Sequence, residues 1–286
     1  MAADPRPGGP AAPARAQGPL AGMRAVSLAA NVPGPAAAAL LAADGMSVVK
    51  IEGPAGDLLT GAAPGWYAEL NDGVEVRALD LRGAEGFAAL RALLADADLL
   101  ITSQRRGALT RLGLTADSLA VINPDLCWVE IVGDVHAPDI PGHDLTYQFE
   151  AGLLEPPAMP RTLLADLAGA GDAARAALAL LLGRALGRPD RHRAVGLRQA
   201  AESLDAPVRF GLTVGDGFLS GALPQYRIYR AADGWAAVAA LEPHFASRFA
   251  AVTGDDPTGF LAALPCARIM ELAAAHDLPI QAIPDA

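Results

Sequence analysis

The feature that most constrains the fold is a pair of short apolar runs, Met23–Leu28 (MRAVSL) and Met46–Ile51 (MSVVKI). Asn31-Val-Pro-Gly-Pro breaks the chain after the first run. Ala36–Ala43 then favours helix, and Gly45 ends it. A strand, a helix and a second strand of this length form a crossover between parallel strands. No G-x-G-x-x-G follows the first run, so a nicotinamide-type phosphate grip is not signalled. The alternation continues with strands at Ala78–Leu81, Leu99–Thr102 and Leu126–Val132, and helices at Ala84–Asp96, Asp117–Ile122 and Ala168–Gly187. Pro54–Val76 reads as loop. Gly187–Arg193 breaks the chain, and it places His192 in a solvated turn. Beyond it the sequence predicts a hairpin of Tyr226–Tyr229 and Gly234–Ala240, a helix from Glu242-Pro243 through Phe249, helix over most of Phe260–Ala275 and a strand at Pro279–Ile283.

Of the 286 residues, 52% are hydrophobic but only 5% aromatic, so a large core must be built mainly from Ala, Leu and Val. The net charge of −10 argues against nucleic acid and anionic membranes as partners. It does not exclude a local arginine site for an anion. The Pro/Gly/Ala-rich start, residues 1–19, reads as a disordered leader without a signal-peptide core. No apolar run approaches the ~18 residues of a membrane span, and a cytoplasmic protein is expected. Cys127 and Cys266 match no metal spacing and read as buried thiols; no metal site is expected.

The stretch Pro141–Asp172, PGHDLTYQFEAGLLEPPAMPRTLLADLAGAGD, carries the candidate chemistry. His143 follows a Pro-Gly break, and Asp166 lies where the apolar run Thr162–Ala165 meets the long Ala/Leu helix. Taken alone they read as a loop histidine and a helix N-cap. Together they are two groups able to carry protons.

Three separated segments, in order, resemble one family. GHDLTYQFEAGLL and LLADLAGAGDAARAALALLLGR resemble consecutive segments of the α-methylacyl-CoA racemases, a branch of the family III (CaiB/BaiF) CoA-transferases. YRAADGWAAVAALEPHF resembles a third. The opening, PLAGMRAVSLAANVPGPAAAALLAADGMSVVKIEGPAGD, is similar to that family's start. The resemblance implies an α/β fold: a Rossmann-like parallel-sheet large domain (20–190) and a reduced small domain with its linker (191–286). It implies a racemase in which His143 and Asp166 remove and return a proton α to a thioester carbonyl, with Glu242 supporting His143. Backbone N–H groups near Gly142 or in Gly169–Gly171 are candidates for holding the enolate oxygen. Asp144 and Tyr147 would line the ligand, Arg105 and Arg111 match basic positions, and the subunits would pair as homodimers. A separate cofactor is not expected; the acyl-CoA is the substrate.

Two departures bear on that substrate. Asn71-Asp72-Gly73-Val74-Glu75 replaces a basic Asn-Arg-Gly-Lys segment, and Leu58-Leu59-Thr60 stands where an arginine often follows Gly-Asp. Both weaken the usual grip on CoA phosphates. Gly133-Asp134-Val135-His136 also departs from the family's glycine loop, with His136 read as a surface residue. Two alternatives therefore stand beside the racemase. One is a CoA-transferase with Asp166 as nucleophile. The other is a repurposed relative that acts on a non-CoA natural product or is a non-catalytic binding protein.

Overall fold

The computed structural model describes residues 18–285. The apolar runs become β1 (Arg24–Ser27) and β2 (Ser47–Glu52), joined through α1 (Pro33–Ala43), which starts on Pro33 where a missing N–H costs nothing. Next come α2 (Leu59–Ala62), α3 (Pro64–Leu70), β3 (Glu75–Ala78), α4 (Ala84–Ala95), β4 (Leu99–Thr102), α5 (Arg106–Arg111), α6 (Ala116–Ile122) and β5 (Cys127–Val132). After a long loop follow α7 (Asp144–Glu150), α8 (Leu164–Ala185), β6 (His192–Gly196) and α9 (Leu197–Ser203).

The six strands pair in the order β3-β2-β1-β4-β5-β6, all parallel. This is the doubly wound order, whose direction reverses between β1 and β4 and opens a crevice at the carboxyl ends of those strands. Strands β4 and β5 are buried along their whole length, as central parallel strands covered on both faces must be. Leu99 and Ile101 point into the layer packed by α1 and α8, Leu100 into the layer holding Leu90, Leu94 and Leu119. The first layer is closed mostly by alanines, among them Ala37, Ala38, Ala173 and Ala177. Small side chains let α1 and α8 approach closely, which is how a chain poor in aromatics fills its core.

Three local readings are corrected. Pro54–Val76 holds two short helices, α2 and α3, because Pro64 opens a turn that Asn71 and Gly73 close. The third strand lies at Glu75–Ala78 and not Ala78–Leu81; it is an exposed edge strand with no apolar alternation to show its register. His192 opens β6, where its ring stacks on Trp128 at 4.3 Å and its Nε2 lies 3.4 Å from the buried Glu130. Because β6 pairs with β5, the chain's two units divide after Leu204, beyond the expected 190/191 division.

The second unit, from Asp205, contains α10 (Ala206–Arg209), β7 (Tyr226–Arg230), β8 (Gly234–Ala239), α11 (Pro243–Thr253), α12 (Pro257–Ala262), α13 (Cys266–Ala275) and β9 (Ile280–Pro284). The expected hairpin is β7–β8, and β9 adds antiparallel to β8. Phe249, Leu261, Ile269 and Ala282 form its core. Cys127 and Cys266 are buried free thiols, each in its own unit. No described helix is long and apolar enough to cross a membrane, and the described residues contain no metal-ligating cluster. Residues 1–17 of the expected leader lie outside the described residues.

Candidate active site

A cavity of about 380 Å³ opens at the strand-order reversal. Its floor comes from the loops that follow β1, β4 and β5. The β1 and β4 loops are tied together: Leu28 N–H donates to Ile101 O at 2.8 Å, Ala30 N–H donates to Ser103 Oγ at 3.0 Å, and the Gln104 amide donates to Leu28 O. Asn31, on the cavity wall, sits at φ 65°, a left-handed conformation that Asn tolerates better than most residues. His143, Tyr147, Asp166 and Arg105 all line this cavity.

His143 is the N-cap of α7 and is exposed. Its N–H donates to Thr146 Oγ1 at 3.1 Å, and that hydroxyl donates back to the His143 carbonyl at 2.8 Å. These bonds use its backbone, and the residue lines the cavity. Tyr147, one turn on, is buried at 6% exposure. Its hydroxyl lies against Gly133 and Gly142, where a Cβ on either glycine would collide with it. Burial first, then the charges of Asp134, Asp166 and Glu150, push the phenol up, so it stays a donor.

Asp166 lies in the first turn of α8, which starts at Leu164 and not at Ala168. Leu163, its N-cap, supplies no side-chain acceptor. The Asp166 N–H instead donates to Asp144 Oδ1 at 3.1 Å, an acceptor supplied by α7. The Asp166 carboxyl is pushed up to about 6, mainly by burial and then by the nearby Asp144 charge. Helix-dipole stabilisation of its anion does not win here.

Asp144 is the clearest correction. It does not line the cavity but is buried behind it, accepting from the Gln148 amide at 2.5 Å as well as from Asp166. The Gly169–Gly171 candidates are corrected too. They lie inside α8, where the helix ladder uses their N–H groups, and Gly169 makes room for Leu197. Gly142 does line the cavity.

Arg105 and Arg111 serve different places. Arg105 lines the reacting cavity, while Arg111 lines a separate exposed one with Arg82. A third cavity, of about 560 Å³, shares Ala30 and Gln104 with the first and Arg82 with the Arg111 cavity. The three cavities are therefore neighbours. The third contains Lys50, which is 1% exposed and held by Asp57 at 2.6 Å and Glu52 at 2.9 Å. Tyr67 donates to Glu52 at 2.9 Å. Burial, then Glu52, pushes its phenol up to about 12. Lys50 thus satisfies the protein's own carboxylates.

Sequence reasoning missed the Lys50 cluster and the Asp134 brace. Asp134 accepts from His136 N–H at 2.9 Å, from Gln199 at 2.8 Å and from Arg198 at 3.0 Å, fixing the loop after β5. His136 is exposed, as expected. Glu242 belongs to the second unit, where it is the exposed N-cap of α11.

A sequence model of CoA-transferase family III matches residues 20–266. The chain belongs to that family. It is 31% identical over 255 residues to a human α-methylacyl-CoA racemase, covering 79% of this chain and 62% of the relative. It is 32% identical over 163 residues to a succinate–glutarate CoA-transferase of Agrobacterium fabrum, covering 50% of this chain and 41% of the relative. The chain thus spans less than two thirds of the length of these family III relatives. A CaiB/BaiF family protein from Brucella suis superposes with a TM-score of 0.78 at 21% identity, covering 94% of this chain and 84% of that one. That likeness is one of fold.

Proposed function

We propose that the chain is a racemase-type isomerase that exchanges the proton α to a thioester carbonyl, with His143 and Asp166 as the two proton carriers. The observation that carries this reading is the convergence of both groups on one cavity, with the Asp166 carboxyl pushed up to about 6. A carboxyl there is basic enough to take an α-proton and acidic enough to return it near neutral pH. One group removes the proton from one face of the carbon, the enolate oxygen takes up the charge, and the other group protonates the opposite face. The Tyr147 O–H and the backbone around Gly142, on the cavity lining, are the donors proposed for that oxygen. In this reading Glu242 is a third functional residue, and the protein works as a cytoplasmic homodimer.

The substrate class proposed is an acyl-CoA. In this reading the three neighbouring cavities serve as one trough, with Arg105 near the reacting end and Arg82 and Arg111 at the far end for a phosphorylated tail. Transfer with Asp166 as nucleophile is the second reading, favoured by the transferase among the relatives. Deuterium wash-in from D₂O into a 2-methylacyl-CoA, run beside CoA transfer from that thioester to a free carboxylate, separates them. Wash-in without CoA transfer supports the racemase. CoA transfer lost in Asp166→Asn, with no wash-in, replaces it with the transferase. Neither activity, with no thermal shift in millimolar acetyl-CoA, leaves the repurposed relative. Light scattering that showed a stable monomer would remove the homodimer.

A further inference from the structure

Behind the reacting cavity lies a buried polar unit that none of its chemistry touches. Asp144 is 5% exposed and Gln148 fully buried, one turn apart on α7. The Gln148 amide nitrogen donates to Asp144 Oδ2 at 2.5 Å and to the Thr162 carbonyl at 3.0 Å. Rotating that amide would aim its oxygen at two acceptors, so its orientation is fixed, and Gln148 Oε1 is left buried without a partner. The other Asp144 oxygen takes the Asp166 N–H. One carboxylate therefore joins α7, which carries His143 and Tyr147, to the first turn of α8, which carries Asp166. It also places a negative charge beside a second carboxyl.

We propose that Asp144 is a positioning residue: locked by Gln148, its carboxylate fixes the first turn of α8 through the Asp166 N–H and sets how tightly the Asp166 carboxyl keeps its proton. A neutral acceptor would serve as the cap equally well. Only an ionised one also raises its neighbour's proton affinity. The other charged or titratable groups around Asp166 are His143 and Tyr147 from α7 and Arg105 from the start of α5, all lining the same cavity. A cation among them would lower the Asp166 value, so Asp144 and burial are what hold it up. This inference rests on the proton-transfer reading only for its catalytic meaning; the effect on Asp166 exists without substrate.

The test is Asp144→Asn, which keeps one accepting oxygen and removes the charge. Asp144→Ser gives the same reading should the first variant fail to fold. The Asp166 carboxyl is titrated by ¹³C NMR without ligand, its signal assigned by loss in Asp166→Asn. The expected midpoint falls by about one unit, and the acid limb of α-proton exchange moves down with it. An unchanged midpoint in a folded variant overturns the proposal. A shifted midpoint in a protein that exchanges no α-proton upholds it and defeats the proton-transfer reading instead.

Discussion

Two clusters of buried charge lie on the same sheet edge and behave oppositely. In the Lys50 cluster, one ammonium lies between two carboxylates of opposite sign, Asp57 and Glu52. At α8, Asp166 faces Asp144 with like charge and a neutral Gln148 behind it. Opposite charges in contact stabilise a fixed arrangement. Mismatched charges leave one group poised between two protonation states. The first cluster therefore reads as scaffold for the trough and the second as its working end.

The sharpest way to break this contrast is to remove Asp166. Asp166→Asn is expected to lower α-proton exchange by about 10²- to 10⁴-fold, measured by wash-in; a loss under threefold would remove Asp166 from the chemistry. Next in size, Lys50→Met leaves two buried carboxylates without their cation. It is expected to cost about 3–5 kcal/mol of stability in urea unfolding. Were it neutral, the scaffold role would fail.

The same Asp166→Asn change should act the other way on stability. The folded-state value of about 6 is above the ordinary carboxylate value of about 4. Below about pH 4 the group is protonated in both states and costs nothing. As pH rises through 4 to 6, the unfolded state loses its proton more readily, and the native state is penalised. Asp166→Asn is thus expected to gain about 2 kcal/mol at pH 8, after discounting for partial exposure, and almost nothing at pH 4. A gain equal at both pH values would mean the carboxyl is not perturbed. The smallest effect is at the rim. Arg111→Gln should raise KM for an acyl-CoA about tenfold with kcat nearly unchanged, because in the proposed reading its exposed guanidinium meets the phosphorylated tail and not the reacting carbon.

The same contrast explains what was legible in the sequence. Strands β1, β2, β4 and β5 are apolar runs, and the β7–β8 hairpin is an alternating pair around a turn, so local pattern shows them. His143, Tyr147 and Asp166 fall on one cavity. The start of α8 was not legible, because its cap comes from Asp144 on another helix rather than from a neighbouring residue. Asp144 itself was expected to face the ligand. Nothing in a GHD spacing tells whether the carboxylate turns outward or back toward α8, and Gln148 four residues on is the feature that turns it inward. Edge strand β3 lacked any burial pattern, so its register was free to slip.

The most direct test of the central claim, that Asp166 is held poised for proton transfer, is the pH dependence of deuterium wash-in to a 2-methylacyl-CoA, in the wild type and in Asp166→Asn. The expected wild-type profile rises through an acid limb centred near pH 6, with that limb absent in the variant. A wild-type limb near pH 4, or an identical profile in both proteins, would contradict it.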